Sequence, residues 1–160
     1  MMRSPTYGEV TIDEIVQIIK NKVVKNPTKY NLMIGTDSQN HDKTKVVSVI
    51  ALHEIGHGGI FFYDTHYTRR INDINRKMLY EATCSLNLAN DLIYRLEDLI
   101  EEDFVYSDYI HLEIHVDIGE NGNSNQTIPE IVGWIKSCGY DVTIKPDSYA
   151  ATSIANKYSK

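Results

Sequence analysis

The sequence predicts a single α/β domain in which a mixed sheet of five strands carries helices on both faces. Three observations predict this fold. Three strand-like segments follow one another with short turns, which is typical of an antiparallel meander. Two further strand-like segments each follow a helical pattern, as in crossover connections between parallel strands. The length of 160 residues suits one domain with a substantial core.

Composition limits the class of protein. A hydrophobic content of 42% and a charged content of 24% are typical of a soluble globular chain, and no apolar run approaches the roughly 20 residues of a membrane span. The first residues lack the apolar core of a signal peptide. Cys84 and Cys138 lie in helical patterns, so we expect reduced core thiols in a cytoplasmic protein with no membrane partner. The net charge of -6 argues against a protein that binds nucleic acid by broad electrostatics, but not against an enzyme whose bound cations meet the phosphates.

The first helix is predicted at about residues 11–25. Thr11 and Glu14 have the spacing of a capping box, in which each side chain satisfies a free backbone N–H group. The apolar residues that follow at helical spacing are Ile12, Ile15, Ile19 and Val23. Asn26-Pro27 ends the helix, because the residue before proline disfavours helical geometry.

The meander is predicted from strands at residues 30–36, 46–53 and 60–67. The first is apolar on both sides of the pleat, as in a strand buried on both faces of a sheet. Between the second and third lies His53-Glu54-Ile55-Gly56-His57, which matches the zinc-protease pattern that requires a helix. Because strand-like runs and glycines surround this pattern, we predict a hairpin and not a zinc site.

The second half alternates helices and strands. A helical pattern at residues 73–100 precedes a fourth strand at 108–118, where apolar and polar residues alternate. A helix at 127–138, a fifth strand at 142–145 and a last helix at 150–158 complete the chain. The crossovers make the first, fourth and fifth strands parallel neighbours, and ligands in such sheets bind at the carboxyl ends of these strands.

An acid lies at the carboxyl end of each of these three strands: Asp37, Asp117 and Asp147. A single one of them would be better interpreted as a turn or cap residue. Together, three converging carboxylates repel one another unless cations lie between them. Hard cations such as Mg²⁺ or Mn²⁺ prefer oxygen ligands, so we predict a metal site. Glu81, on the flank of the long helix, is a candidate fourth ligand, although a solvated helix edge explains it equally well.

Other polar residues lie beside these acids in the sequence. Ser38, Gln39 and Ser148 are candidates to hold the ligating carboxylates by hydrogen bonds. His115 precedes Asp117 by two residues, so it is a candidate to contact the site, although a covered polar sheet face is the simpler interpretation. Lys145 is a candidate to contact phosphate, with an ordinary solvent-facing lysine as the alternative.

The chain resembles a known family in three motifs. These are Gly35-Thr36-Asp37-Ser38-Gln39, then Val116-Asp117-Ile118-Gly119 with Gly122 and Ser124, and finally Lys145-Pro146-Asp147-Ser148-Tyr149-Ala150-Ala151. They are similar to those of the YkuK type of bacterial proteins, which is assigned to the ribonuclease H-like superfamily. The resemblance covers most of the chain from about Asn31 onward.

This resemblance implies a ribonuclease H-like fold and a set of functional residues. It makes Asp37, Glu81, Asp117 and Asp147 the metal-binding and catalytic acids. The family's last helix often carries an acid where this chain has Asn156. The predicted metal site on such a fold leads us to expect a nuclease or phosphodiesterase that depends on Mg²⁺ or Mn²⁺ and acts on RNA or DNA. The alternative is a non-catalytic module that retains the fold and binds nucleic acid or a nucleotide. A third possibility is an actin-like ATPase, because these enzymes share the sheet topology. They need two such domains around the nucleotide, and this chain has room for one.

Overall fold

The computed structural model describes residues 1–98, 105–117, 127–144 and 150–160, without the side chains of residues 150–153 and 156. The strands are β1 Met2–Ser4, β2 Gly8–Val10, β3 Tyr30–Asn40, β4 Thr44–Glu54, β5 Gly59–Thr68, β6 Ile110–Val116 and β7 Asp141–Ile144. The helices are α1 Ile12–Lys25, α2 Ile74–Asp98, α3 Thr127–Ser137 and α4 Ala150–Ser159, with a short 3-10 turn at Tyr106–Asp108.

Within the part of the chain that the structure describes, the sheet has seven strands in the order β2-β1-β5-β4-β3-β6-β7, so the prediction of five strands was wrong. The two additional strands form an N-terminal hairpin that joins the edge of β5 through Arg3 and Tyr63. Each has only three residues, which is too short for an alternating pattern to be recognised. Met2 and Val10 are nevertheless buried, and they anchor the hairpin to the core.

The predicted inner sheet is confirmed. β3, β4 and β5 form an antiparallel meander, while β6 and then β7 add parallel to β3. The zinc-protease pattern falls in the hairpin between β4 and β5, where the His57 N–H donates to the Glu54 carbonyl at 2.9 Å. The predicted boundaries shift in one important place. β3 continues to Asn40, so Asp37 lies inside the strand opposite Val47 and does not follow its end.

Helices cover both faces of the sheet, as predicted. Alternate residues of β3 face opposite sides: Leu32 and Ile34 belong to the larger core with α1, α2 and α3, while Met33 belongs to a smaller core with α4. The predicted capping box opens α1, since the Glu14 N–H donates to Thr11 Oγ1 at 3.1 Å and the Thr11 N–H donates to Glu14 Oε1 at 3.2 Å.

The cysteines and the helices bear on two predictions made from the composition. Both cysteines are free thiols, but only Cys84 is half-buried, whereas Cys138 is exposed in the turn after α3. The prediction of a core thiol was therefore wrong for Cys138, because α3 directs only Ile131 and Ile135 into the core. Within the described residues, no helix combines the length and apolar character needed to cross a membrane.

Substitution of Leu92 by alanine tests the larger core. This side chain is fully buried on α2, so Leu92→Ala leaves a cavity and should lower the free energy of unfolding by about 2–5 kcal/mol in chemical denaturation. Leu79 is 48% exposed on the same helix, so Leu79→Ala should change stability by less than about 0.5 kcal/mol. Equal losses in the two variants would show that α2 does not pack as described.

Candidate acidic site at the sheet edge

Two of the predicted acids are brought together by the parallel pairing of β3 and β6. The last paired residues are Gly35 and His115. If this register is continued by two residues, Asp37 lies beside Asp117. The spacing between the backbones of neighbouring strands is about 4.8 Å. Both residues lie two positions beyond the pair, so they share one face of the sheet. The electrostatic effect of Asp117 on Asp37 agrees with this proximity.

Asp37 is held in a buried setting at the edge of the sheet. It is only 7% exposed, and Ser159 Oγ from α4 donates a hydrogen bond to its Oδ2 at 2.8 Å. Burial raises the pKa of the Asp37 carboxyl above its usual range, and the charge of Asp117 adds to this effect. Ser159, Gln39 and Lys77 act in the opposite direction, by hydrogen bonding or by positive charge. These three groups do not fully offset the effect of burial, so the pKa of Asp37 remains raised.

Glu81 reaches the same site from α2. Its side chain is half-buried, and burial raises the pKa of its carboxyl well above the usual range. The charges of Asp37 and Asp117 raise it further, while Lys77 and the hydroxyl of Ser38 favour the charged form. Glu81 therefore interacts with both aspartates, and the interpretation of a solvated helix edge was wrong.

A small cavity of about 10 Å³ lies between α2 and the end of β6. The polar residues that line it include Glu81, Asp117, Thr36 and His115. This volume corresponds to about one water-sized sphere. The carboxyl groups of Glu81 and Asp117 thus border a common space of atomic dimensions, which is suitable for a water molecule or a single ion.

Buried hydroxyl groups fix α2 against the sheet next to Glu81. Thr36 Oγ1 lies 2.8 Å from Ser85 Oγ and 3.0 Å from Ser48 Oγ, so one cluster joins β3, β4 and α2. Ser85 lies one helical turn after Glu81 and therefore on the same side of α2. Sequence reasoning missed Ser85, although its spacing from Glu81 was a usable signal.

Lys77 and Ser159 were also missed. Lys77 lies one turn before Glu81, and this i to i+4 spacing was visible in the sequence. Ser159 comes in a short polar end of the chain and carries no local signal for its contact with Asp37. That contact depends on the packing of α4 across β3.

His115 lies below the same edge of the sheet, as its position before Asp117 suggested. The ring is only 4% exposed, and its Nε2 lies 2.9 Å from Glu113 Oε1. Glu113 also accepts a hydrogen bond from Thr143 Oγ1 at 3.1 Å. The other ring nitrogen, Nδ1, is buried and has no hydrogen-bond partner among the described residues. The covered polar sheet face therefore exists, and it borders the acidic site.

The predicted neighbours of the acids divide into two groups. Gln39 and Ser38 are close to the acids: the Gln39 side chain acts to lower the pKa of Asp37, and the Ser38 side chain acts to lower the pKa of Glu81. Ser38 Oγ is buried and makes no hydrogen bond of normal distance and angle, but it is close enough to favour the charged Glu81 carboxyl. Lys145, Asp147 and Ser148 lie outside the described residues. Among the residues described, no group of three His, Cys, Asp or Glu side chains has the geometry of a metal site.

Comparisons with known proteins agree with this fold. The sequence model of the family described as Ribonuclease H-like matches residues 13–160. The chain is also similar to "Uncharacterized protein YkuK" of Bacillus subtilis, with 33% identity over 160 residues that cover 96% of this chain and 93% of the relative. No solved structure matches the chain significantly. The family match and this relative both span nearly the whole chain, which therefore belongs to the YkuK-type, ribonuclease H-like family.

Proposed function

We propose that the protein is a divalent-metal-dependent phosphodiesterase that acts on nucleic acid. One observation carries this proposal: Asp37 and Glu81 are carboxyl groups with raised pKa values that interact with each other and with Asp117. Lys77 provides one positive charge against these three acids. Such an arrangement destabilises the folded protein unless a cation neutralises it, and perturbed carboxyl groups are frequent at functional sites.

The available donors fit a hard divalent cation. Asp37, Glu81 and Asp117 offer carboxylate oxygens, which Mg²⁺ and Mn²⁺ prefer, and Glu81 and Asp117 border the small cavity. Among the described residues these three acids do not by themselves have the geometry of a metal site, so we propose that Asp147, from the end of the last parallel strand, would complete the set of residues that hold the metal. When bound, the metal would supply an activated water and charge stabilisation for the leaving oxygen of a phosphodiester.

The surrounding residues prepare these ligands. Ser159 donates a hydrogen bond to Asp37, and the side chains of Gln39 and Ser38 favour the charged forms of Asp37 and Glu81, respectively. Donors of this kind orient ligating carboxylates and keep them basic. The hydroxyl cluster of Thr36 and Ser85 fixes the helix that carries Glu81. These contacts hold the oxygens at one end of β3.

A non-catalytic nucleic-acid- or nucleotide-binding module is the second candidate. Lys77 favours it, because an ammonium group that interacts with both Asp37 and Glu81 partly neutralises them without a metal. Calorimetric titration with Mn²⁺ distinguishes the two functions. A metal-dependent enzyme should bind Mn²⁺ and lose that binding in Asp117→Asn, whereas a module that relies on Lys77 should bind no Mn²⁺.

Substitution of Asp37 tests the reaction directly. Cleavage is measured with RNA, DNA and hybrid substrates in Mg²⁺ or Mn²⁺. Asp37→Asn should reduce cleavage at least about 100-fold, because it removes a proposed ligand. Loss of a residue that only hydrogen-bonds to a metal ligand already costs about 10- to 100-fold. Asp42→Asn is the matched control, since Asp42 is exposed in the turn between β3 and β4 and should retain full activity. Absence of cleavage by the unsubstituted protein in both metals would contradict the proposal.

Neutralising Glu81 should stabilise the metal-free protein. Between 4.5, the usual pKa of Glu, and the raised value in the folded state, the folded protein binds more protons than the unfolded one. The free energy of unfolding of the unsubstituted protein therefore falls as pH rises through this interval. In EDTA, Glu81→Gln should raise Tm by about 2–4 °C at pH 8 and have almost no effect below pH of about 4.

The control for this measurement is Glu97→Gln. Glu97 is exposed near the end of the same helix, so its neutralisation should leave Tm nearly unchanged at either pH. Saturating Mn²⁺ should stabilise the unsubstituted protein more than Glu81→Gln, because a ligand stabilises only the state that binds it. A lower Tm for Glu81→Gln in EDTA at pH 8 would show that the Glu81 carboxylate is already compensated.

Removing the Ser159 hydroxyl should destabilise the protein through Asp37. Ser159 is fully buried, and Ser159→Ala leaves a buried carboxylate without one of its donors, at a cost of about 1–3 kcal/mol at pH 8. Denaturant titration measures this loss. Ser137→Ala is the control, because the Ser137 hydroxyl is exposed and donates only to the Trp134 carbonyl of its own helix. Equal effects in both variants would argue that Ser159 does not support Asp37.

A further inference from the structure

An exposed surface next to the acidic site combines arginines with an aromatic ring. It consists of two hollows on either side of the start of α2, and we name it the α2 shoulder. The first, of about 730 Å³, is lined by residues 68–73 and by α2, including Arg69, Arg70 and Arg76. The second, of about 400 Å³, lies between α2 and α3 and is lined by Trp134. Arg76 and Leu79 line both hollows, so the two are continuous.

The loop that carries the arginines is anchored to the sheet. The Ile71 N–H donates to Thr44 Oγ1 at 2.9 Å, and the Ile71 carbonyl accepts from Asn40 Nδ2 at 3.0 Å. Thr44 in turn donates to Asn40 at 2.6 Å. Arg70 is further fixed, because its guanidinium donates to Asn72 Oδ1 and to the His41 carbonyl. The loop and the Arg70 side chain are therefore held in place before any ligand binds, which lowers the entropic cost of binding.

The positive charge of the shoulder is available to a ligand. Among the described residues, Arg69, Arg70 and Arg76 form no ion pair with an acid. The one nearby acid of the loop, Asp73, accepts from the N–H groups of Asn75 and Arg76 at 2.8 and 3.0 Å and so caps α2. In a chain with a net charge of -6, three exposed arginines so close together form a local site for a polyanion.

The second hollow has a different character. Trp134 is 38% exposed and Leu79 is 48% exposed, so both offer apolar surface to a ligand. Glu130 also lines this hollow, and its charge disfavours a phosphate group there. An unpaired base is uncharged and has a flat apolar face that stacks on indole. The arginine hollow thus suits phosphates, and the tryptophan hollow suits a base.

We propose that the α2 shoulder binds single-stranded nucleic acid, with the phosphates on the arginines and an unpaired base on Trp134. This inference rests on the proposed function, since it assigns the substrate strand of the same enzyme. Arg76 and Glu81 lie on the same helix, about 7.5 Å apart along its axis. A strand on the shoulder therefore contacts the helix that carries Glu81. A base paired within a duplex cannot present its face to Trp134, so the surface selects single strands.

Trp134 allows a direct test, because it is the one tryptophan of the chain. In EDTA, a single-stranded oligonucleotide should quench the tryptophan fluorescence, whereas a duplex of the same sequence should not. Measured by anisotropy of a labelled oligonucleotide, Trp134→Leu should weaken binding about 5- to 100-fold, the usual effect of losing one stacked base. Arg76→Glu should weaken binding at least about 10-fold and reduce the slope of log K against log salt by about 0.7 or more.

Lys25→Glu is the matched control for charge. It changes the net charge as Arg76→Glu does, but Lys25 is the last residue of α1, next to the start of β3 and at the opposite end of this strand from Asp37. Its binding should match that of the unsubstituted protein. Arg76→Glu should fold normally, because a glutamate in the first turn of a helix is favourable, and circular dichroism verifies this.

The possible outcomes separate this inference from the proposed function. Absence of binding, equal quenching by the duplex, or binding that is unchanged in Arg76→Glu and Trp134→Leu would overturn the inference. If those variants still cleave substrate normally, the proposed function stands without the shoulder. If the oligonucleotide binds and quenches but no metal supports cleavage, the shoulder stands and the enzymatic function is overturned.

Discussion

The structure depends on the burial of the Asp37 carboxylate inside β3. Asp37 is almost inaccessible, and it interacts with two other acids, Glu81 and Asp117. Desolvation and like charge both oppose ionisation in such a site, so the folded chain carries an electrostatic cost there. The parallel register of β3 with β6, continued two residues beyond its last pair, brings Asp37 beside Asp117.

Four distant parts of the chain meet around this carboxylate. β3 contributes Asp37, α2 contributes Glu81, the end of β6 contributes Asp117, and α4 contributes Ser159. α4 is itself fixed by its aromatic packing, since Tyr158 stacks on Tyr63 of β5 with ring centroids 4.0 Å apart. That contact sets the position of the neighbouring Ser159 hydroxyl. The smaller core on this face of the sheet thus supports the site as well as the fold.

The sequence was sufficient to predict the inner sheet and the proximity of Asp37 to Asp117, but not how Asp37 is held. Long alternating or doubly apolar segments such as β3 and β6 have a strong periodic signal, whereas the hairpin of β1 and β2 has three residues in each strand and almost none. Asp37 was recognised as a site residue, yet it lies inside the strand because polar residues 38–40 continue the pairing with β4. Ser159 could not be predicted, since its contact with Asp37 spans 122 residues and depends on tertiary packing.

The central claim is that Asp37, Glu81 and Asp117, completed by Asp147, bind a divalent cation. The most direct measurement is anomalous X-ray diffraction from a crystal of the protein equilibrated with Mn²⁺. We predict an anomalous peak within coordination distance of oxygens from these three carboxylates, at about 2.0–2.2 Å. An ordered acidic site without anomalous density in saturating Mn²⁺, or with Lys77 in ion pairs among the three acids in place of the metal, would contradict the claim.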